Sequence, residues 1–466
     1  MAPSKTIYTG PFVHSRSLKE LEIVEKGAIG VDEAGVIRFI ERGDEVGEEK
    51  RPEGWEDAET VAVKGEGFFF PGFVDTHTHA PQHPNTGLFG KTTLLDWLQT
   101  YTFPLESSLS SLSRAQHIYT NFVLRTLSHG TTTCCYYGTI HVPATNFLAK
   151  LCHERGQRAY VGRVCMNSDL SPEYYRDAGV DQAVKDSRES IEYIRSLDPE
   201  GSKKGEAIVN PIITPRFAPS CTSDCMAQLG ALHRETGAHI QTHISENKGE
   251  IELVKELFPD STSYANVYDQ AGLLTEKTIL AHAVHLTEEE KALIKERGSK
   301  ISHCPASNTA LTSGCAPVRE LLESGIIVGL GTDISGGFSP SILEECRQAI
   351  WVSRFRAMND GDDAKLSTEE VLYLATRGGA AVVGLEDHIG GFEVGMDWDA
   401  QMVRLGVVHG GQKEGEEKLV EGPVDVFGWE SAAEKVEKWV YSGDDRNTVA
   451  VWVKGRLVHR KDSYEA

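Results

Sequence analysis

The middle of the chain alternates short apolar runs with amphipathic stretches. The apolar runs have the character of strands and lie at residues 72–79, 130–138, 158–167, 207–216, 239–246, 278–285, 300–305 and 326–333. The amphipathic stretches predict helices at residues 114–128, 181–197, 224–236, 248–258, 288–297 and 317–324.

This alternation of strands and helices predicts parallel strand pairing. Eight repeats over residues 71–395 predict an α/β fold, a (β/α)8 barrel of the TIM type with some long loops. An open doubly wound sheet is the alternative. That fold usually has fewer strands and a glycine-rich phosphate loop after its first strand, and no such loop is visible in the sequence.

Both ends of the chain follow a different, strand-like pattern. Before residue 71, glycine and aspartate punctuate short β-branched and aromatic runs at residues 5–10, 28–32, 36–40 and 67–70. After residue 395 the pattern returns at residues 397–403 and 448–458. We therefore predict that residues 1–70 and 396–466 together build one small β-sandwich domain beside a barrel of residues 71–395. The acidic residues 44–60 predict a solvated loop.

Composition limits the cellular locations and the classes of partner that we expect for the protein. No segment approaches the ~20 consecutive apolar residues of a membrane span, and the N-terminus has no hydrophobic signal core. We therefore predict a cytoplasmic protein that does not bind membranes. The net charge of −22 argues against a nucleic-acid partner, which would favour a basic face. The nine scattered cysteines match no zinc-ribbon or disulfide pattern and predict free thiols in a reducing compartment.

Two histidines stand one residue apart at the end of the first predicted barrel strand. Side chains of a strand alternate between its faces, so His77 and His79 project in the same direction. Two imidazoles on one side of a strand end can bind a divalent metal. In a chain with 17 histidines a chance pair is the alternative, and the remaining strand ends decide between the two.

Other strands of the predicted barrel also end in polar groups, at the edge where the active sites of such barrels lie. The fourth strand ends in Arg216, the fifth in His243, the sixth in His282 and the eighth in Asp333. Three imidazoles and one carboxylate suit Zn²⁺ or Fe²⁺ and leave room for a water molecule, so we predict a metal site here. His282 is either a further metal-facing group or a hydrogen-bonding residue.

Two of three further residues near the site have competing interpretations. Glu246, three residues beyond the fifth strand's histidine, either shuttles protons without binding the metal or is a carboxylate favoured at a helix N-terminus. His285 is interpreted as structural. His303, on the seventh strand, either supports the site through hydrogen bonds or is a satisfied core histidine.

Taken together, these motifs resemble the amidohydrolase superfamily and, within it, the guanine deaminase family. The resemblance extends from about residue 65 to residue 460, and the matching segments are residues 71–82, 96–106, 130–134, 214–217, 241–247, 302–305, 329–333 and 443–447. The metal motifs are common to the superfamily. The segments Trp-Leu-x-x-Tyr-Thr-Phe-Pro and Thr-Pro-Arg-Phe are more specific to guanine deaminases.

The resemblance implies a zinc-dependent aminohydrolase that converts guanine to xanthine and ammonia in purine catabolism. It also implies one Zn²⁺ per chain, a small-molecule substrate and a homodimer. The implied zinc ligands are His77, His79, His243 and Asp333. The implied purine-binding residues are Gln82, Arg216 and Phe217. The implied catalytic residues are Glu246 as proton shuttle, His282 as the residue that holds the attacking water or the substrate, and Asp333 as a second group able to take the proton of the water.

Three other functions share parts of this pattern. A deaminase of 8-oxoguanine, cytosine or thiomethyladenosine, or a chlorohydrolase, would carry the same metal motif with different loops. A two-metal cyclic-amide hydrolase needs a bridging lysine at the end of the fourth strand, and residues 208–216 contain none. A non-catalytic scaffold on the same fold would have lost metal ligands, whereas this chain keeps them.

Overall fold

The structure, a computed structural model, describes residues 4–43, 51–408, 422–462 and 464. Its strands are, in chain order, β1 (Thr6–Ser17), β2 (Glu20–Val31), β3 (Ile37–Arg42), β4 (Glu59–Ala62), β5 (Gly67–Pro71), β6 (Phe73–His79), β7 (Thr131–Tyr137), β8 (Arg158–Gly162), β9 (Val164–Cys165), β10 (Val209–Pro215), β11 (His239–Ile244), β12 (Thr278–His282), β13 (Lys300–His303), β14 (Val328–Leu330), β15 (Ala400–Arg404), β16 (Gly406–Val407), β17 (Asp425–Val426), β18 (Thr448–Val453) and β19 (Arg456–Arg460).

The α-helices of the described residues follow in the same order. They are α1 (Leu94–Trp97), α2 (Phe103–Ser107), α3 (Leu112–Ser128), α4 (Val142–Arg155), α5 (Val180–Ser196), α6 (Pro199–Lys204), α7 (Ser223–Thr236), α8 (Lys248–Leu257), α9 (Tyr264–Gln270), α10 (Glu288–Arg297), α11 (Pro305–Ala310), α12 (Val318–Glu323), α13 (Ile342–Asp360), α14 (Thr368–Tyr373), α15 (Gly379–Val382) and α16 (Ala432–Ser442). None of these helices is long and apolar enough to cross a membrane.

Eight parallel strands form a nearly closed barrel. In sheet order they are β6, β7, β8, β10, β11, β12, β13 and β14. The two end strands meet through backbone hydrogen bonds, because Asp333 N donates to His77 O (2.8 Å) and His79 N donates to Ile334 O (3.1 Å). The predicted (β/α)8 barrel is confirmed.

Each barrel strand lies within the range predicted for it from the apolar runs. The third run, residues 158–167, differs because it breaks into β8 and β9. The break falls at Arg163, whose guanidinium forms a buried ion pair with Asp177. Beyond it, β9 continues the pairing with the end of β10.

Local sequence fixes where the helices after β10 and β12 begin and end. The hydroxyl groups of Thr222 and Thr287 cap the first turns of α7 and α10. The same helices end at Gly237 (φ 67°) and Gly298 (φ 69°). Glycine adopts positive φ without a steric cost, so the chain leaves the helix there and enters the next strand two residues later.

A second sheet joins the two ends of the chain. Its strand order is β19-β18-β15-β5-β1-β2-β3, and β4 pairs with β1. β15 pairs antiparallel with both β5 and β18, which brings residues 400–404 beside residues 67–71. These strands share one hydrogen-bonded sheet, while the sandwich form and the domain boundaries at 70/71 and 395/396 stay predictions. Of the predicted acidic loop, residues 44–50 lie outside the described residues, and its last residues begin β4.

A buried arginine connects this terminal sheet to the barrel. Arg158, the first residue of β8, donates to both carboxylate oxygens of Asp399 (3.1 Å each) and to Asp397 (2.9 Å). The contact lies at the N-terminal end of a barrel strand. The opposite, C-terminal ends of the strands therefore remain for a functional site.

Candidate metal centre and active-site pocket

Four side chains converge at the C-terminal end of the barrel. His77 and His79 lie on β6, His243 lies on β11, and Asp333 follows β14. One ligand atom from each lies within 4.8 Å of the others. The alternation of side chains along β6 places both of its histidines on the inner face. The structure thus brings together the four residues predicted as metal ligands.

The electron-pair donor atoms of this cluster point towards one another. Asp333 Oδ1 lies 3.1 Å from His77 Nε2 and 3.3 Å from His79 Nε2. His79 Nε2 and His243 Nε2 face each other at 3.2 Å. His243 Nδ1 donates to the backbone oxygen of Arg216 (2.5 Å), so the Nε2 of this histidine carries a lone pair. Converging lone pairs repel unless a cation lies among them, so this donor set fits a divalent metal.

Burial sets the charges of the cluster. It lowers the pKa of His77, lowers the pKa of His79 to about 4 and lowers the pKa of His243 well below its usual value. The imidazoles are therefore neutral at pH 7, the form that binds metals. Burial opposes the charge of Asp333, but the adjacent His77 and His79 outweigh it and hold the pKa of this carboxylate well below its usual value.

Two residues of the site adopt a backbone conformation that is rare for residues other than glycine. His282 has a φ of 74° and Asp333 a φ of 44°. Such conformations cost ~1–3 kcal/mol each and persist where the surroundings hold them in place. Both occur where a strand ends, and they turn these side chains into the mouth of the barrel.

Asp75 joins the first and last barrel strands beside the cluster. Its buried carboxylate accepts hydrogen bonds from Thr332 N (3.0 Å), from Thr332 Oγ1 (2.6 Å) and from His77 N (3.2 Å). This contact holds His77 and Asp333 at a fixed separation. Asp75 is not among the residues predicted for the site, although it stands two positions before the first histidine.

A carboxyl group and an imidazole face each other next to the cluster. Glu246 Oε1 accepts a hydrogen bond from Ser313 Oγ (3.0 Å), and its Oε2 lies 3.5 Å from His282 Nε2. His282 Nδ1 donates to Asn308 Oδ1 (2.9 Å), so its Nε2 is the acceptor atom that faces the site. Burial, and then the charge of Asp333, raise the pKa of Glu246 to about 8. Glu246 is therefore a neutral acid at pH 7.

A pocket opens beside these groups. Its lining residues are His79, Gln82, Leu94, Trp97, Leu98, Arg216, Phe217, His243, Glu246, His282, Leu311 and Asp333. Every residue predicted for the site except His77 lines the pocket. A polar end and an apolar wall suit a small planar molecule with a few polar groups.

Glu106 of α2 connects three polar residues at one wall of the pocket. Its carboxylate accepts hydrogen bonds from Arg216 (2.6 and 3.2 Å), from Gln82 Nε2 (2.8 Å) and from Tyr175 Oη (2.8 Å). Burial works against its charge, but Arg216 outweighs burial and lowers the pKa of Glu106. Glu106 was not predicted as a site residue, and its only signal is its place at the end of the segment 96–106.

Two further histidines lie outside the pocket. His285 Nε2 lies 2.8 Å from the backbone oxygen of Ser313, which agrees with a structural role. His303 is buried on β13, and neither of its ring nitrogens has a hydrogen-bond partner among the described residues. Within that part of the chain, His303 thus makes no supporting hydrogen bond to the site.

A sequence profile described as the amidohydrolase family matches residues 68–458. The chain belongs to the amidohydrolase family. Among curated relatives of this amidohydrolase, a probable guanine deaminase of Schizosaccharomyces pombe is 47% identical and aligns with 97% of this chain and 83% of its own length. The guanine deaminase of Dictyostelium discoideum is 42% identical, with 97% and 98% covered. The guanine deaminase of Homo sapiens is 38% identical, with 98% and 97% covered.

Solved structures that are similar to this amidohydrolase also include guanine deaminases. Guanine deaminase from C. acetobutylicum, crystallised with guanine bound in its active site, is 31% identical with a TM-score of 0.85. The alignment covers 98% of this chain and 100% of that one. An adenosine deaminase from Xanthomonas campestris with bound zinc is 22% identical with a TM-score of 0.76, and it shares the fold. The predicted resemblance is confirmed over almost the full chain.

Proposed function

We propose that this amidohydrolase hydrolyses guanine to xanthine and ammonia, a step of purine catabolism. The observation that carries the proposal is the composition of the pocket. It combines a fixed arginine and amide on one wall, metal-capable side chains at one end and a buried carboxyl group that is neutral at pH 7. The guanine deaminases among its relatives support the same assignment.

Recognition of the ring is assigned to Arg216, Gln82 and Phe217. Arg216 has N–H groups beyond those that Glu106 accepts, and these donate to the 6-oxygen of guanine. Phe217 packs against the face of the purine. Adenine carries an amino group in place of that oxygen and would leave a buried N–H unpaired. Such a mismatch lowers turnover by about 10⁴-fold or more.

We assign one Zn²⁺ per chain to His77, His79, His243 and Asp333. Imidazole nitrogens and a carboxylate suit zinc, with iron as the alternative. When bound, the metal supplies a water molecule whose pKa is lowered to about 7 and thus a nucleophile at neutral pH. Elemental analysis of the purified protein should find one zinc per chain, and two metals per chain would contradict the assignment.

Three side chains handle the two protons of the attacking water. His282 accepts a hydrogen bond from the water and holds it against C2 of the ring. Asp333 takes the first proton and passes it to the departing amine. Glu246 gives its own proton to ring nitrogen N3 and takes up the second proton once the oxygen is bonded to C2. The C2–O bond forms, the C2–N bond breaks, ammonia leaves, and each side chain returns to its starting state.

The decisive experiment is an assay of the purified protein with guanine and with adenine. We expect one ammonia for each xanthine formed from guanine, and no detectable turnover of adenine. A chelator should abolish the reaction and added Zn²⁺ should restore it. Preference for 8-oxoguanine, cytosine or thiomethyladenosine over guanine would replace this proposal with the corresponding deaminase.

We also propose that the protein is a cytoplasmic homodimer whose chain divides into a terminal β-sandwich and a barrel. The family resemblance supports the homodimer, and the composition supports the location. Light scattering should give twice the mass of one chain. A monomeric mass at micromolar concentration would contradict the dimer.

A further inference from the structure

We propose that Glu106 is a positioning residue for recognition of the ring carbonyl. It acts through Arg216 and Gln82 and does not itself touch the substrate. The proposal deepens the guanine site and rests on the proposed function for the identity of the ring.

Both oxygens of the Glu106 carboxylate are occupied by donors. Oε1 accepts from Arg216 Nη2 (3.2 Å) and from Gln82 Nε2 (2.8 Å). Oε2 accepts from Arg216 Nη1 (2.6 Å) and from Tyr175 Oη (2.8 Å). The side chains of the ion pair are 0% exposed at Glu106 and 2% exposed at Arg216. A buried, two-point contact of this kind fixes the plane of the guanidinium group.

Glu106 also determines which way round the Gln82 amide lies. Gln82 Nε2 donates to Glu106, and Gln82 Oε1 accepts from Ser335 N (3.1 Å). The flipped amide would place its oxygen against a carboxylate and its NH₂ group against the N–H of Ser335. Only the observed orientation satisfies both partners. The amide therefore keeps one N–H for a ligand.

The result is a pocket wall that presents hydrogen-bond donors. The remaining N–H groups of Arg216 and the remaining N–H of Gln82 complement the oxygen of a ring carbonyl, which only accepts. An exocyclic amine on the ring would meet donor against donor. Without Glu106 the guanidinium would be an unpaired buried charge and the amide would lose the partner that orients it.

The experiment compares Glu106→Gln with a matched control, Asp399→Asn. Asp399 also forms a buried two-point contact with an arginine, Arg158, but at the opposite end of the barrel. Hypoxanthine and unsubstituted purine are titrated into the zinc-loaded proteins by calorimetry. These ligands lack the C2 amine, so they do not react, and they differ in the 6-oxygen and its accompanying ring proton.

We expect Glu106→Gln to weaken the binding of hypoxanthine about tenfold or more and the binding of purine less than about threefold. Asp399→Asn should lower the melting temperature and leave both dissociation constants unchanged. In an Arg216→Ala background, most of the effect of Glu106→Gln should disappear, because Glu106 acts through Arg216. If Glu106→Gln does not fold, Glu106→Asp and Tyr175→Phe serve for the same comparison, with smaller losses in the same direction.

Equal weakening of hypoxanthine and purine in the Glu106 variants would show a general structural role and overturn the inference. Independent effects of Glu106→Gln and Arg216→Ala would overturn it as well. Failure of the unaltered protein to turn over guanine would instead overturn the proposed function. The comparison of the two ligands would still measure the role of Glu106 in that case.

Discussion

Glu246 illustrates how a buried carboxyl group becomes a proton donor at neutral pH. Burial, and then the negative charge of Asp333, raise its pKa to about 8. The hydroxyl of Ser313 donates to one carboxyl oxygen, and His282 faces the other. Because a catalytic group works best when its pKa lies near the working pH, Glu246 is suited to give a proton and take one back within a turnover.

Glu246→Gln should retain the metal and lose turnover. Glutamine keeps the shape of the side chain but cannot transfer a proton, so kcat should fall by about 10²–10⁴-fold. In the unaltered protein the rate should decline as the pH rises through about 8, since the carboxyl group must be protonated to donate. Steady-state kinetics check the rate and elemental analysis checks the metal. A variant with unchanged kcat would show that Glu246 is not the proton shuttle.

The contact between Asp75 of β6 and Thr332, which follows β14, serves two purposes. It closes the barrel, and it supports the metal cluster. Asp75→Ala would leave the backbone N–H groups of His77 and Thr332 and the hydroxyl of Thr332 without this acceptor. We expect the free energy of unfolding to fall by about 2–3 kcal/mol. We also expect zinc affinity to fall about 10–100-fold, because His77 and Asp333 lose their shared support.

Denaturant unfolding and competitive zinc titration measure these two effects of Asp75→Ala. Asp399→Asn is again the control, because it removes a buried carboxylate contact that is remote from the metal cluster. That control should lose stability without losing zinc affinity. Unchanged zinc affinity in Asp75→Ala, despite a loss of stability, would show that this contact does not position the ligands.

The first turn of helix α8 contains a buried glutamate, Glu250, whose ionisation lowers stability. Glu250 accepts hydrogen bonds from the backbone N of Glu246 (2.9 Å), from the backbone N of Asn247 (3.2 Å) and from Tyr264 Oη (2.7 Å). Burial raises the pKa of Glu250 from 4.5 to about 7. The folded protein therefore holds this proton more tightly than the unfolded chain does.

The pH dependence of stability should reveal this difference. The stabilisation from Glu250 is fully present below its unfolded pKa of 4.5 and is lost as the pH rises through about 7. It amounts to about 3 kcal/mol. Glu250→Gln cannot ionise. As the pH rises from 4.5 to about 7, its free energy of unfolding should therefore increase relative to that of the unaltered protein. Parallel profiles for the two proteins in denaturant titrations across this range would contradict the expectation.

The sequence predicts strand ends better than it predicts contacts between elements. The barrel strands could be placed because each is an apolar run, and the metal ligands because several runs stop at a histidine or aspartate. Glu106 could not be placed, since it lies 110 residues from Arg216 and 69 from Tyr175 in the chain. Asp75 was missed for a related reason. Within an apolar strand, only its contact with Thr332 across the barrel seam reveals its role.

In the whole molecule, the contact with the terminal sheet and the candidate metal site lie at opposite ends of the barrel. The N-terminal end of β8 is tied to the terminal sheet through Arg158 and Asp399, whereas the C-terminal ends carry the ligand cluster. The return of a strand-like pattern after residue 395 correctly predicted that both chain ends contribute strands. Their pairing in one sheet, with β15 between β5 and β18, depends on contacts that no local pattern encodes.

Metal binding should stabilise this fold as well as enable turnover, because the ligands come from strands that are far apart in the chain. His77 and Asp333 are separated by 256 residues, so a cation held by both would join the first barrel strand to the segment that follows the last one. A ligand at about 1,000 times its Kd stabilises the folded state by about 4 kcal/mol. Chelator-treated protein should therefore melt at a lower temperature and show no guanine turnover, and Zn²⁺ should restore both properties.

Glu246→Gln separates these two effects of the metal. It keeps all four ligand side chains, so zinc should raise its melting temperature as much as that of the unaltered protein while kcat stays at the low value of the variant. His243→Asn, which removes a ligand from β11, should lose most of the zinc-dependent rise together with activity. If zinc restored turnover without raising the melting temperature of the unaltered protein, the metal would not bridge β6 and the segment that follows β14, and the cluster would not be its binding site.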